Sequence, residues 1–464
     1  MVWMLRSLRA RCGAMALVAL LTGCTVPIVV PDMARTRGPV QVEGANGRLL
    51  SPSESKAILD RLASAGKQTT VLERHLAVEQ ALAGNPLTAG NAAVLLEDGP
   101  ATYAAMLAAI RAARDHINME TYILEADEAG ATFAAALIDK QRQGVQVNLI
   151  HDSVGTLSTP KEFFERLKAA GINVLEFNPV NPLTAKAGWD VNQRDHRKIL
   201  VVDGQTAFLG GINISGVYSG GSSGRPVGGS GKAKDRPWRD TDLQLTGPVV
   251  ADLQKMFIDT WQRQQGEPLA KRNYFPNIPS KGKEVVRAIA SAPEEPFSLI
   301  YATFMSAINS AESEILLTNA YFVPDPQLMD ALIAAVARGV EVKMILPSAT
   351  DSWLVFHAGR AHYDRLLRGG LKLYERKNVL LHSKTALIDG VWSTVGSTNL
   401  DWRSFLHNQE VNAVVLGPEF GARMRASFDN DLAASQQITL EEWEHRPIDA
   451  RVKELFGRIW EYWL

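Results

Sequence analysis

From about residue 92 the pattern of apolar and polar positions switches repeatedly between a helical period and short Val/Ile/Leu-rich runs, and the whole sequence of switches occurs twice. The stretch YAAMLAAIRAARDHINMETYIL (103–124) is echoed by YATFMSAINSAESEILLTNAYFV (301–323). ALIDKQRQGVQVNLIHDS is likewise echoed by ALIAAVARGVEVKMILPS, and LKAAGINVLEF by LLRGGLKLYER. Amphipathic helices alternating with apolar strands predict a mostly parallel sheet covered by helices, so the chain reads as two α/β domains made by duplication, 92–275 and 276–464. Each copy then reaches an apolar hairpin marked by Asp-Gly, the strongest two-residue turn signal. With a two-residue loop, Val202 faces Gln205, Lys198 faces Leu209 and His196 faces Gly211.

The segments upstream follow other rules. SPSESKAILDRLAS opens with Ser51, Pro52 and Glu54, a helix-start signature, and TVLERHLAVEQAL continues the helical period. Residues 51–91 are therefore expected to form a small helical cap, and 24–50, punctuated by Pro and Gly, a tether. The first 23 residues carry Arg6, Arg9 and Arg11 before an apolar run, Ala14 to Leu21, that is too short to span a bilayer. LTGC, ending at Cys24, resembles a bacterial lipobox. The expectation is a lipoprotein signal peptide, 1–23, and an acylated Cys24 anchoring the protein to a membrane and facing the periplasm. Thr25 points to the outer membrane, with the inner membrane as the alternative. Loss of Cys12 with the leader would leave one Cys and no internal disulfide.

Composition narrows the partners. A chain of 464 residues, 46% apolar, can bury a large core, while a net charge of −1 argues against a long nucleic-acid footprint and leaves room only for a local basic groove.

That groove has candidate residues. In DHRKILVVDGQTAFLGGIN the order is His196, Lys198, Asp203, Gly211, Asn213; in HSKTALIDGVWSTVGSTN it is His382, Lys384, Asp389, Ser397, Asn399. Lys, Asp and Asn follow His by two, seven and seventeen residues in both copies. Residues two apart on a strand share a face, so each hairpin offers an imidazole, a cation, an amide and a small residue together, a pocket for a tetrahedral anion. One buried His would be unremarkable; the full pattern twice at equal spacing is not. After the first motif the chain carries SGVYSGGSSGRPVGGSGKAK, read as a flexible loop or lid. Allowing for it, DTDLQLTGP aligns with EVNAVVLGP and pairs Asp240 with Glu410, with Asp242 a substitute for Asp240.

These paired motifs, HxKxxxxD followed by Gly-(Gly/Ser)-x-Asn, resemble those of the phospholipase D superfamily. The segments NQRDHRKILVVDGQTAFLGGINI, FNPVNPL and GSTNLDWRSFLHNQEVNA are similar to bacterial cardiolipin synthases lacking N-terminal transmembrane helices. The resemblance implies two α-β-α sandwich domains related by a pseudo-twofold axis, with the active site at their interface. It implies His196 as nucleophile forming a phosphohistidine and His382 as acid and base. Lys198, Lys384, Asn213 and Asn399, with Ser397 and Gly211 beside them, would cradle the phosphoryl group in place of a metal, and Glu410 and Asp240 would orient one His each. Asp203 and Asp389 complete the catalytic motif, although at a turn they read as turn formers and salt-bridge partners. No cofactor and no metal are expected. The implied activity is transfer of a phosphatidyl group from phosphatidylglycerol to a second phospholipid by a monomeric catalytic unit. Hydrolysis to phosphatidic acid is the alternative, and a nuclease or a non-enzymatic scaffold stands further off.

Two features sit outside the motifs. Arg403 and Ser404 are candidates for headgroup contact. In RVKELFGRIWEYWL one helical stripe holds Val452, Leu455, Phe456, Ile459, Trp460 and Trp463; packing on the second domain is its expected role, and insertion into a membrane interface the alternative.

Overall fold

The computed structural model describes residues 28, 39–64, 70–181, 189–221 and 236–464. The expected leader, Cys24 and most of the Gly/Ser-rich segment after Asn213 lie outside the described residues.

Helices α1 (Pro52–Ser64) and α2 (Val71–Ala83) come first. Ser51 caps α1 as its spacing from Glu54 predicts: Glu54 N donates to Ser51 Oγ at 3.3 Å and Ser51 N to Glu54 Oε2 at 2.8 Å. Both helices pack on the second copy, where Leu62, Val71, Leu72 and Leu76 join its core.

The first copy comprises β1 (Leu87–Leu96), α3 (Gly99–Ala112), β2 (His116–Thr121), α4 (Glu128–Arg142), β3 (Gln146–Asp152), α5 (Lys161–Ala169), β4 (Asn173–Phe177), β5 (Arg194–Asp195), β6 (Ile199–Val202), β7 (Thr206–Gly210), β8 (Trp238–Arg239), β9 (Asp242–Thr246) and α6 (Val250–Arg263). The second comprises β10 (Glu284–Ser291), α7 (Leu299–Ser310), β11 (Glu314–Asn319), α8 (Pro326–Ala337), β12 (Glu341–Pro347), α9 (Trp353–Arg360), β13 (Lys372–Arg376), β14 (Leu380–Leu381), β15 (Lys384–Ile388), β16 (Trp392–Gly396), β17 (Asn408–Leu416), α10 (Pro418–Ala433), β18 (Ser435–Ile438) and α11 (Ile448–Ile459).

One sheet runs β4-β3-β2-β6-β7-β9-β1 and the other β18-β13-β12-β11-β15-β16-β17-β10-β1. The duplication is thus visible as one strand order used twice. The sheets are mixed rather than mostly parallel: three strands of each run parallel, β2 to β4 and β11 to β13, and the Asp-Gly hairpins set their neighbours antiparallel. The expected domain start at 92 falls inside β1, which serves both sheets. Its first half pairs with β10 of the second copy and its second half with β9 of the first.

Core strands are apolar on both faces because each face is covered. Leu200 and Val202 of β6 pack under the first copy's helices, whereas Ile199 and Val201 enter a core shared with Leu387, Val395, Val411 and Ala413 of the second. That shared core presses the two copies together and positions the site between them.

The hairpin register differs by one residue from the expected one. Asp203 and Gly204 have φ of +54° and +63°, Asp389 and Gly390 +51° and +70°, and the turn closes by Gln205 N donating to Val202 O at 3.0 Å, or Val391 N to Ile388 O at 3.1 Å. The ladder resumes one residue later, Val202 with Thr206 and Ile388 with Trp392, so Leu209 pairs with Ile199 instead of Lys198. The extra residue after the turn is a bulge.

The C-terminal stripe is also corrected. Helix α11 seats itself with Glu454 and Gly457, not with the stripe. Glu454 is buried under Arg446, at 2.8 Å, and Arg360, at 3.8 Å. The Gly457 Cα backs onto the α9 backbone so closely that a Cβ there would lie 2.5 Å from Ala358 N. The apolar stripe is left facing outward.

Candidate active site

Each motif histidine leaves its own sheet and joins the other copy. Strand β5 pairs parallel with the start of β17, and His196 N donates to Gln409 O at 3.0 Å. Strand β14 pairs parallel with β8, and His382 N donates to Arg239 O at 2.7 Å. These exchanged pairings carry each imidazole to a carboxylate of the opposite copy.

His196 Nδ1 lies 3.0 and 3.1 Å from the two oxygens of Glu410. Glu410 also accepts from the Ser397 hydroxyl and, at 3.2 Å, from Asn408 Nδ2. Burial opposes ionisation of Glu410, yet the His196 ring, the Lys198 charge and the Ser397 hydroxyl hold it below the usual carboxylate range. Burial dominates for His196 and holds it down at about 4 despite Glu410, so the ring is neutral at pH 7. Lys198 is lowered to about 7, again by burial. Its ammonium donates to His196 O at 2.5 Å and lies 5.2 Å from the centre of the Tyr122 ring.

On the other side His382 Nδ1 lies 2.7 Å from Asp240 Oδ2, 2.8 Å from Lys384 Nζ and 3.3 Å from the Tyr218 hydroxyl. Burial and then the Lys384 charge lower His382, and burial lowers Lys384. With Nδ1 engaged on both rings, Nε2 is the nitrogen of each that remains for a substrate. Asp242 takes no part: buried beside Asp240 it is pushed up to about 8 and accepts from Ile212 N at 3.1 Å.

Both histidines border one cavity of about 300 Å³, together with Asn213, Asn399, Arg403 and Ser404. Asn399 and Asn408 also line the cavity, and each leaves a buried Oδ1 with no hydrogen-bond partner among the described residues. Asn213 reaches the wall with its amide committed, Nδ2 donating to Tyr218 at 3.2 Å and Oδ1 accepting from Ile123 N at 3.0 Å. Arg403 binds Asn192 through both terminal nitrogens at 3.1 Å, tying the copies together at the cavity edge.

Several expected roles change. Asp203 and Asp389 stand at the turns, outside the cavity lining: Asp203 accepts from the backbone N–H of Arg114, Asp115 and His116 at 2.8–3.2 Å, and Asp389 from those of Glu312, Ser313 and Glu314 at 2.8–3.0 Å. They fasten each hairpin turn to the start of β2 or β11. Ser397 and Gly211 do not line the cavity. Ser397 donates to Glu410, and Gly211 is glycine because a Cβ would lie 2.3 Å from Asp240 Oδ1. Other cavity residues went unread in the sequence: Tyr122 and Tyr321, with ring centres 5.1 and 5.9 Å from His196 and His382, and Arg194, Trp238, Asp351, Trp463 and Leu464. The echo of METYIL in TNAYFV carried the two tyrosines and would have found them. Among the described residues no cluster of three or more His, Cys, Asp or Glu is placed to hold a metal ion.

Comparison with known proteins follows the same duplication. The family model described as "Cardiolipin synthase, PLD-like domain" matches residues 106–217 and 304–432. A cardiolipin synthase of Geobacillus kaustophilus is 32% identical over 411 residues, 87% of this chain and 78% of that protein. One of Alkalihalophilus pseudofirmus is 34% identical, covering 82% and 73%. The major cardiolipin synthase of Bacillus subtilis is 32% identical, covering 80% and 75%. The crystal structure of a phosphatidylserine synthase from Haemophilus influenzae superposes with a TM-score of 0.60 at 14% identity, over 84% of this chain and 99% of that one, a likeness of fold. The relatives also correct the expected location. They are Bacillus-type cardiolipin synthases with nothing pointing to a lipoprotein, a periplasm-facing lipid anchor or an outer-membrane destination. No helix among the described residues is long and apolar enough to cross a membrane.

Proposed function

The chain belongs to the phospholipase D-like cardiolipin synthase family, and from that premise we propose that it is a phosphatidyltransferase forming cardiolipin from phosphatidylglycerol and a second phospholipid. The observation that carries this reading is the shared cavity, bordered by two histidines that are each held at Nδ1 by the other copy's carboxylate.

In the proposed reaction His196 Nε2 attacks the phosphorus of phosphatidylglycerol. A P–N bond forms, the P–O bond to the headgroup glycerol breaks, and His382 as imidazolium gives the glycerol oxygen its proton. The now neutral His382 takes the proton from a headgroup hydroxyl of an acceptor phosphatidylglycerol, whose oxygen attacks phosphorus and frees His196; with phosphatidylethanolamine as donor in the first step, ethanolamine leaves in place of glycerol. With a second phosphatidylglycerol the balance is two phosphatidylglycerol to one cardiolipin and one glycerol. A neutral His196 at pH 7 suits the nucleophile. Lys198, Lys384 and Asn399 would offset charge on the phosphoryl oxygens, and we propose that this set works without a metal ion.

Purified protein incubated with phosphatidylglycerol, alone and with phosphatidylethanolamine, should give cardiolipin by mass spectrometry, and His196→Ala and His382→Ala should each abolish it. A chelator should leave the rate unchanged. Phosphatidic acid as the sole product would establish hydrolysis and overturn the reading.

A further inference from the structure

The outward stripe of α11 is the largest feature that the reaction leaves unused. Val452, Leu455, Phe456, Ile459, Trp460 and Trp463 are 46–65% exposed, while Glu454 on the same helix is 3% exposed. At about 100° per residue the stripe lies opposite Glu454 and Gly457, so its exposure follows from how the helix is seated. A solvated helix that turns its apolar face outward and buries a carboxylate requires an occupant for that face.

Three observations say which occupant. First, the face adjoins the cavity: Trp463 lines it beside His196 and His382, and half-exposed Trp353 of α9, whose ring lies 6.1 Å from Phe456, extends the patch next to Ser352 and Val355 of the cavity wall. Second, a cavity of about 300 Å³ has room for a phosphodiester headgroup and not for acyl chains, so the chains of a bound phospholipid must lie outside, where the patch is. Third, the exposed charges on α11 itself are mainly basic: Arg451, Lys453 and Arg458 against Asp449, which already pairs with Lys453 at 2.8 Å. An apolar stripe carrying Trp and flanked by cations fits the boundary of an anionic bilayer. A second copy of the chain on this face would cover the cavity mouth.

We propose that α11 and Trp353 form the surface by which the protein docks on anionic phospholipid bilayers, lowering the mouth of the cavity onto the lipid headgroups. The inference rests on the phosphatidyltransferase reading for its purpose, though not for its test. Full-length protein should float with phosphatidylglycerol vesicles, less so with phosphatidylcholine vesicles or as salt rises. The variant Leu455→Ser/Ile459→Ser/Trp460→Ser removes only exposed side chains, so it should melt at the wild-type temperature. Its bound fraction should fall at least about tenfold. Its kcat/KM on vesicles should fall in step, with turnover of monomeric short-chain phosphatidylglycerol unchanged. Flotation needs no turnover, so this loss of binding supports docking even where no cardiolipin forms, a result that removes the function alone. Equal flotation of variant and wild type overturns the proposal. So does a wild-type dimer that the variant converts to monomer without change in vesicle binding.

Discussion

At the scale of single residues, burial governs the site. His196 and Lys198 are both buried, and both are moved toward neutrality, to about 4 and about 7. For the proposed nucleophile this is favourable, since neutral imidazole persists until the pH falls through about 4. For the proposed phosphoryl-binding lysine it is a constraint, because its cation is lost as pH rises through about 7. The kcat/KM profile, which reports the free enzyme, should therefore fall on the acid side near 4, and on the alkaline side first as His382, lowered by burial and the Lys384 charge, loses the proton it must give the glycerol and then as Lys198 loses its own near 7. Lys198→Arg, whose guanidinium keeps its proton, should remove the alkaline component near 7 and leave the acid limb and the His382 component in place. An alkaline limb unchanged in that variant would show that Lys198 is not the group titrating.

At the scale of elements, the hairpin is a positioning device whose residues divide their work differently from the motif's appearance. Asp203 holds three backbone N–H groups in one carboxylate, so Asp203→Ala should lower stability by roughly 2–3 kcal/mol in urea denaturation, and its damage to activity should follow the damage to the fold. Gly211→Ala should do the reverse. Its Cβ would occupy the place of the Asp240 carboxylate, displacing the partner of His382, and about a hundredfold loss of activity is expected with a nearly unchanged urea midpoint.

At the scale of the whole molecule, neither copy holds a complete site. Strands β5 and β14 cross to the opposite copy, so the carboxylate serving His196 comes from β17 and the one serving His382 directly follows β8. Substitutions should act across the duplication. Glu410→Gln should slow formation of the phosphoenzyme on His196 alone, whereas Asp240→Asn should slow both its formation, where His382 gives the leaving glycerol its proton, and its breakdown, where His382 takes the acceptor's proton. Quenched-flow trapping of labelled lipid distinguishes the two, and identical trapping in both variants would count against the assigned division of labour.

The sequence by itself determined the duplication, the two α/β copies, the hairpins and the identities of His196, His382, Asp240 and Glu410, because spacing along a strand and period along a helix are local properties. It did not determine the one-residue bulge after each Asp-Gly turn, since turn chemistry fixes the closing hydrogen bond but not where the ladder resumes. It also left open which carboxylate meets which histidine and where Ser397 points. The first depends on pairings that join residues 214 and 142 positions apart, the second on how neighbouring β16 and β17 turn Ser397 onto Glu410. The stripe of α11 shows the same division. Its apolar period was legible, but whether it faced the core was decided by the close seat of Gly457 on α9 and by Arg446 and Arg360 burying Glu454. A hydrophobic period says that one face differs from the other, and only the packed structure says which face is covered.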